Sequence, residues 1–424
     1  MVRDGLGQFW ADLKASTDAG ILGALRFFGL LYGPIDRSLP IDQAFRKALR
    51  HRLPSHVGWR HALGGITFLL FLILVVTGVL LSFYYRPSAQ EAYPSLRYIV
   101  SEVSFGWWIR DLHVWSANLI VVAILAHMAR VFFAGAYKPP RETSWFVGIL
   151  LFFVVLSFGA TGYLLPWDQW AYWTVTEALN TLAELPILGA VAARLLTGDV
   201  FVSGATLSRF FALHVIVLPW LALALLGFHF AMIRKHGIAP PAGASPVSGA
   251  DEAGTPFYPN HLLRSFIVAV LVIALTLTLA ALYPRPMGEP ATPAALPSEL
   301  VSTWIVVDVI LALVRYVGFW GFVAFSLLGV GLALLPLIDR DPERRMTRRP
   351  VATVLGVIFF GGCVLAWLAG REIRSVPPPA DLVPRGVEER AIPEAPPQRL
   401  PEPGLTPPQP APTPAGRPPA ESGR

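Results

Sequence analysis

The sequence contains almost no cysteine and few charged residues, and each shortage excludes a class of protein. Cys363 is the single cysteine among 424 residues, so these residues can form neither an internal disulfide nor a metal site of several thiolates. Asp, Glu, Lys and Arg make up only 15% of the residues, whereas 54% are hydrophobic. Such a composition is atypical of soluble globular domains and indicates a protein that crosses a membrane several times.

Seven apolar runs are long enough to cross a bilayer, because about 20 helical residues span its hydrocarbon core. They lie at 64–84, 113–133, 145–165, 210–232, 262–283, 317–337 and 351–369. The predicted fold class is therefore an all-α membrane protein, with a four-helix transmembrane bundle followed by three further transmembrane helices.

The net charge of +6 is explained by the distribution of basic residues between the spans, so no nucleic-acid partner is expected. Lys and Arg cluster before the first span and in alternate loops after it, at 46–52, 130–141, 234–235 and 340–349. By the positive-inside rule these loops are cytoplasmic. We expect a bacterial cytoplasmic membrane protein with a cytoplasmic N-terminus and a periplasmic C-terminus.

The segments outside the spans differ in composition. Residues 1–50 interleave charged and apolar side chains, which favours amphipathic helices on the cytoplasmic surface over a cleavable signal. The Pro-, Gly- and Ser-rich residues 237–258 predict a linker between a four-span domain at 51–236 and a three-span domain at 259–370. The proline-rich residues 371–424 predict a disordered periplasmic tail.

Two pairs of histidines lie in the second and fourth spans at nearly equal intervals. His113 and His127 are fourteen residues apart, and His214 and His229 are fifteen apart. At about 100° and 1.5 Å per residue, the first pair lies on nearly one helix face with about 21 Å between its members. The second pair lies about 22.5 Å apart on a slightly broader face. A single histidine in an apolar helix is usually a hydrogen-bonded structural residue. Two matched intervals favour ligands shared by the two helices at two depths of the membrane.

The chemistry of two facing imidazoles favours haem over zinc. Zinc takes four ligands, usually with Cys or a carboxylate among them, and none accompanies these pairs. Haem needs only two axial imidazoles and an apolar slot. Arg110 precedes His113 by three residues and Arg130 follows His127 by three, so both are candidate partners for haem propionates. The histidine pattern predicts two haem b groups with bis-histidine ligation.

Glycines in the first and third spans repeat the fourteen-residue interval. Gly64 and Gly78 form one pair, and Gly148 and Gly162 form the other. Glycine allows a helix backbone to approach a porphyrin edge closely. Close helix packing would explain any one of these glycines. It does not explain why the interval between two glycines matches the interval between two histidines in both cases.

The stretch 56–240 resembles the cytochrome b of quinol:cytochrome c oxidoreductases, and most closely its counterpart in the plastoquinol:plastocyanin complex. The motifs that carry the resemblance are GGITFLL, FYYRP, FGWWIRDLH, FGATGYLLPWDQ, TLSRFFALHVIVLP and HFAMIRKHGI. Residues 256–370 resemble subunit IV of that complex through PFYPNHLL, GEPATP and RRPVATV. The four-helix dihaem half is thus fused to a subunit IV-like half.

This resemblance implies two quinone sites on opposite faces and partners that carry a Rieske iron–sulfur cluster and a c-type cytochrome, in a homodimeric complex. The family lines its outer quinol pocket at the segment matching GYLLPWDQ, which implicates Tyr163, Pro166 and Trp167. Photosynthetic relatives tether a third haem through a cysteine at the position of Ala62, so no covalently attached third haem is expected.

One motif of the family is largely absent. Its outer quinol site uses Pro-Glu-Trp-Tyr, which falls on STWI at 302–305, and only Trp304 matches. The glutamate is replaced by Thr303, whose hydroxyl cannot act as a base. Asp308, about one helical turn beyond Trp304, is the nearest candidate to replace it. Glu299, in a segment typical of a surface loop, is a second candidate.

Two functions are compatible with these features. The first is a catalytic subunit that oxidises quinol at the outer face, sends one electron to an external carrier and the other across the membrane to an inner quinone. GYLLPWDQ and the two-part architecture favour it. The second is a transmembrane electron conduit that connects a partner oxidoreductase to quinone without bifurcated oxidation, which the missing glutamate favours. A transporter with structural histidines leaves the matched intervals unexplained.

Overall fold

A computed structural model describes residues 52–185, 187–242, 254–297 and 304–370. The predictions for residues 1–50, for the middle of the linker, for the tail and for Glu299 concern segments outside these ranges.

The N-terminal half of the described chain consists of helices joined by short loops. A 3₁₀ turn, Trp59–His61, leads into the first of them. The helices are α1 (Leu63–Ser82), α2 (Ala92–Ser101), α3 (Gly106–Phe133), α4 (Glu142–Tyr163), α5 (Gln169–Ala183), α6 (Gly189–Thr197), α7 (Gly204–Ala212) and α8 (Leu218–His236).

Three further helices follow in the C-terminal half: α9 (Leu262–Leu282), α10 (Ile305–Ile338) and α11 (Pro350–Gly370). Gly318 interrupts α10 with φ 75° and ψ 173°, a conformation that glycine adopts at little cost. A two-residue strand β1 (Arg52–Leu53) pairs antiparallel with β2 (Thr255–Pro256), so the start of the first half contacts the start of the second.

Seven helices of the described ranges are long and apolar enough to cross a membrane, which confirms the all-α membrane class. They are Leu63–Ser82, Gly106–Phe133, Glu142–Tyr163, Gly204–His236, Leu262–Leu282, Trp320–Ile338 and Pro350–Gly370. The second begins at Gly106, well before the predicted residue 113. Its first turns tolerate charge because Arg110 and Asp111 form a buried ion pair with 3.1 Å between Nη1 and Oδ1.

The connecting helices α2, α5 and α6 were not predicted, and they cover the end of the bundle at which His113 lies, here called the His113 end. Asp168 begins α5 as its N-cap and accepts a hydrogen bond from the Ala171 N–H at 2.9 Å. The core at this end is rich in aromatic side chains: Tyr163, Trp167, Tyr172, Trp173, Phe210 and Trp304.

A π turn, Leu213–Val217, joins α7 to α8 and contains His214. Such a turn inserts one extra residue into an α-helix. Pro219 follows it directly and has no N–H to donate to the carbonyl of Val215, four residues before. The fifteen-residue interval from His214 to His229 therefore includes one residue that the π turn absorbs. A straight helix without this turn would put His214 and His229 on the slightly broader face that the sequence predicts.

At the opposite end, the loop between α10 and α11 is fastened to the C-terminal end of α3. Lys138, which is only 2% exposed, binds the Asp339 carboxylate at 2.8 Å. The Tyr137 hydroxyl donates to the same carboxylate at 2.9 Å. Arg344 donates to the carbonyl of Gly135 at 3.1 Å. These contacts, here called the loop clamp, hold the second half of the chain against the first.

Candidate functional site

Each of the four glycines that repeat the fourteen-residue interval lies against one of the four histidines. A Cβ built on Gly162 would lie 2.6 Å from Cε1 of His214, closer than two such atoms can approach. The other separations from a glycine Cβ to Cε1 are 3.3 Å, 3.3 Å and 3.7 Å, for Gly78 with His113, Gly64 with His127 and Gly148 with His229. The glycines thus leave room for the imidazoles, and the predicted approach to a porphyrin edge stays a prediction.

These contacts define two levels in the bundle. Gly78, His113, Gly162 and His214 share the upper level, and the other two glycines and histidines share the lower one. In each pair of helices the earlier glycine meets the later histidine. This order requires α1 to run antiparallel to α3, and α4 antiparallel to α8. All four imidazoles are half-buried, in keeping with rings that face an internal space.

The upper histidines face one another at a separation suited to one metal ion. The ring centroids of His113 and His214 are 6.4 Å apart. Two imidazole nitrogens that each bind a metal at about 2 Å from opposite sides put their ring centroids about 6 Å apart. The described residues contain no group of three or more His, Cys, Asp or Glu side chains that could hold a metal. A metal here would need its other ligands from a cofactor, and porphyrin supplies four.

Two buried threonines fix the orientation of the upper imidazoles. Thr77 Oγ1 donates to the Ile73 carbonyl at 2.6 Å, so it accepts from Nδ1–H of His113 at 2.8 Å. Thr161 Oγ1 lies 3.1 Å from Nδ1 of His214 in the same way. Each hydrogen bond selects the tautomer whose Nε2 carries the lone pair that a metal requires. Neither threonine was predicted, although each directly precedes an interval glycine.

The upper histidines form part of the wall of a cavity of 340 Å³. Tyr163 and Pro166, expected from the sequence at a quinone site, also line it. Trp167 does not, since it is 6% exposed and packs in the aromatic core beneath. The upper site and two of the three predicted quinone-site residues therefore share one cavity.

Trp304, the single match to the family's quinol motif, lies in the wall of this cavity. Its indole occupies the space that a Cβ on Gly159 would require. Asn118, one helical turn and a residue beyond His113, accepts a hydrogen bond from the Ile305 N–H at 2.8 Å. This bond anchors the start of α10 to α3 and holds Trp304 at the level of the upper histidines.

Asp308 lies one helical turn after Trp304, as expected, since its N–H bonds the Trp304 carbonyl at 3.3 Å. It is 3% exposed but is not among the residues that line the cavity. A Cβ on Gly370 would contact the Asp308 backbone carbonyl, so the start of α10 packs against the end of α11 at this residue. The geometry does not bring Asp308 to the predicted substrate position.

Asp168, which was not predicted, is the one carboxylate among the residues that line the cavity. It is 5% exposed, and its Oδ2 accepts a hydrogen bond from the Gly288 N–H at 3.2 Å. Burial raises the pKa of this carboxyl, and backbone hydrogen bonds from Ala171 and Gly288 oppose the shift. The motif LPWDQ could have indicated Asp168 as a site residue, because this charged residue directly follows the apolar segment that was predicted to line the quinone site.

Arg110 lines the cavity and also holds the loop that precedes α10. Its guanidinium donates to Asp111, to the carbonyl of Arg285 and, at 3.4 Å, to that of Pro286. Arg130 is half-buried near the lower histidines. The predicted contact of these arginines with propionates stays a prediction.

Comparisons with known proteins agree with this geometry. Residues 49–237 match a family model described as Cytochrome b/b6/petB. Cytochrome b6 of Synechococcus sp. (strain JA-3-3Ab) is 42% identical over 211 residues, 50% of this chain and 98% of that protein. Cytochrome b6 of Euglena gracilis is 47% identical over 189 residues, 45% of this chain and 88% of that protein. A solved chain described as "Hyperthermophilic respiratory Complex III" aligns with a TM-score of 0.68 and 28% identity, covering 81% of this chain and 98% of that one.

Proposed function

The chain belongs to the cytochrome b/b6 family, and from this premise we propose that it is the dihaem subunit of a quinol-oxidising complex. It is a multi-pass membrane protein of electron transfer. In the proposed reaction, quinol is oxidised at the His113 end, which faces outward, and quinone is reduced at the opposite, cytoplasmic end.

The single observation that carries this proposal is the joining of the upper histidine pair to the cavity that contains Trp304. A quinol in that cavity would lie beside the imidazoles that hold an electron carrier. The walls are mostly apolar and include Phe158 and Leu165, which suits the ring and tail of a quinol. Because the cavity and the upper histidines share one wall, an electron leaving the substrate would need no mobile intermediary inside this subunit.

The residues that would hold the cofactors are the two histidine pairs, His113 with His214 and His127 with His229. Haem b bound there would supply a one-electron carrier at each of two depths. The threonines orient the upper imidazoles, and Arg110 and Arg130 are the proposed partners of propionates. Ala62 carries no thiol, so a third haem would have no covalent attachment to this position.

A second function, an electron conduit without quinol oxidation, is favoured by Thr303 at the position of the family's glutamate. The two functions differ in one measurement. Quinol added to the purified complex is expected to reduce the upper haem within a single turnover, and an inhibitor of the outer site is expected to block that reduction. Reduction through a partner oxidoreductase alone, with none by quinol, would establish the conduit instead.

The proposed partners are a Rieske-type iron–sulfur protein and a c-type cytochrome, which would accept the other electron at the outer face, in a homodimeric complex. The solved neighbour is a chain of a respiratory Complex III, which supports assembly with further subunits.

The orientation predicts which segments a protease reaches. Trypsin added to the periplasmic face is expected to cleave the tail beyond about residue 375 and to spare 338–350, because positive-inside bias puts that loop in the cytoplasm. Inverted vesicles provide the matched control, in which the loop's arginines become accessible outside the loop clamp. Fragment masses report the result, and cleavage of the loop from the periplasmic side would invert the topology.

A further inference from the structure

We propose that Asp168 accepts a proton from the quinol bound in the cavity, in place of the glutamate that this chain lacks. The inference rests on the proposed function and identifies the group that completes its substrate site.

The position of Asp168 is the first support. Among the residues that form the cavity wall it is the one carboxylate, and it shares that wall with His113, His214 and Trp304. A carboxylate presents about four lone-pair positions on two oxygens. Three are used by the backbone N–H groups of Ala171, Gly288 and Trp170, which hold the carboxylate in one orientation and leave one acceptor position for a hydroxyl.

The charged and titratable groups around Asp168 come from three elements. Arg110 on α3 stabilises its charged form, and Tyr93 on α2 interacts with it electrostatically. Arg285, in the loop before α10, lines the same cavity and packs its guanidinium 4.3 Å from the centre of the Trp115 ring. Burial is the largest influence on the Asp168 carboxyl and raises its pKa, towards the range in which a carboxylate accepts protons efficiently.

The proposed step conserves atoms and charge. The O–H bond of one quinol hydroxyl breaks, and its proton moves to a carboxylate oxygen of Asp168, which becomes a neutral carboxylic acid. One electron leaves the substrate at the same time for an external one-electron acceptor of the iron–sulfur class. The acid then releases the proton to outer water and regains its charge.

A purely structural role is the competing explanation, because Asp168 is also the N-cap of α5. Asparagine caps a helix about as well as aspartate and has the same shape. Its amide nitrogen cannot accept the Gly288 N–H, and it cannot accept the proton. Asp168→Asn therefore separates the two roles.

The experiment compares the pH dependence of quinol oxidation by the intact complex in four forms: wild type, Asp168→Asn, Glu184→Gln and Asp308→Asn. Glu184 ends the same helix and is exposed, so its variant removes an equal charge outside the cavity. The wild-type and Glu184→Gln rates are expected to rise with pH as the acceptor loses its proton. Asp168→Asn is expected to lower kcat by about 100-fold and to abolish that rise, with haem content unchanged and thermal stability reduced only by the lost hydrogen bond from Gly288.

Asp168→Ser, which also provides an N-cap, serves as the second variant if the asparagine form does not assemble. Retention of the pH-dependent rise in the Asp168 variants would overturn the inference, as would its loss in Asp308→Asn alone. If wild-type complex oxidises no quinol, the proposed function fails and the inference fails with it. Activity in the wild type that Asp168→Asn retains overturns the inference alone.

Discussion

Replacing His214 with alanine is expected to remove one haem from the protein and to leave the other in place. The upper imidazoles are 6.4 Å apart, and a single remaining imidazole cannot provide both axial ligands. The lower pair lies a full interval away along the same helices, so its environment does not change. Reduced-minus-oxidised spectra and extracted haem per chain measure the result: two in the wild type, both extractable without breaking a covalent bond, and one in the variant.

The other three histidines supply the controls for this pairing. His113→Ala is expected to remove the same haem as His214→Ala, whereas His127→Ala and His229→Ala are expected to remove the other. A variant that keeps two haems with unaltered bis-histidine spectra would show that the histidines are paired differently.

Adding one methyl group at Gly162 is expected to weaken the upper haem site almost as severely. In Gly162→Ala the new Cβ would lie 2.6 Å from Cε1 of His214, so the ring must move. Thr161 holds that ring at Nδ1, and the helix behind it cannot retreat freely. Overpacking of this kind costs about 1–3 kcal/mol, which corresponds to about a 5- to 150-fold loss of haem affinity. Titration of the apoprotein with haem measures it.

Gly227→Ala is the matched control for Gly162→Ala. Gly227 lies in α8, and a Cβ there meets nothing within 4 Å. We expect this variant to bind both haems as the wild type does. Equal haem affinity in the two alanine variants would mean that Gly162 does not restrict the position of His214.

The membrane spans and the family could be predicted from the sequence because long apolar runs and paired intervals are recognisable without knowledge of the tertiary contacts. All seven predicted spans correspond to helices of the described chain, and the comparisons confirm the family. The histidine and glycine intervals also predicted the levels at which these residues meet, since both depend only on helix geometry.

Other features depended on contacts between elements that a periodic pattern does not encode. Asp308 has the right spacing from Trp304, yet it is not among the residues that line the cavity, and its backbone packs against Gly370. Asp168 reaches the cavity because the chain reverses after α4 and the loop at Gly288 closes over it. The π turn at His214 depends on Pro219 and on the packing of α4. Because the interval alone does not encode this packing, the fifteen residues from His214 to His229 were predicted to form a straight helix.

The loop clamp has a consequence for how the two halves of the chain stay together. Cytochrome b6 of Synechococcus is covered almost entirely by half of this chain, so the second half is a separable unit in sequence. Lys138 and Tyr137 of the first half bind Asp339 of the second. Arg344 of the second half binds the Gly135 carbonyl of the first. These contacts join the two halves independently of the chain connection between them. The predicted linker at 237–258 would contribute mainly effective concentration, which is on the order of millimolar for a short tether. Each first half is then made with one second half already tethered to it, which favours fast assembly in a one-to-one ratio. The loop clamp and the interhelical packing determine how the two halves fit together.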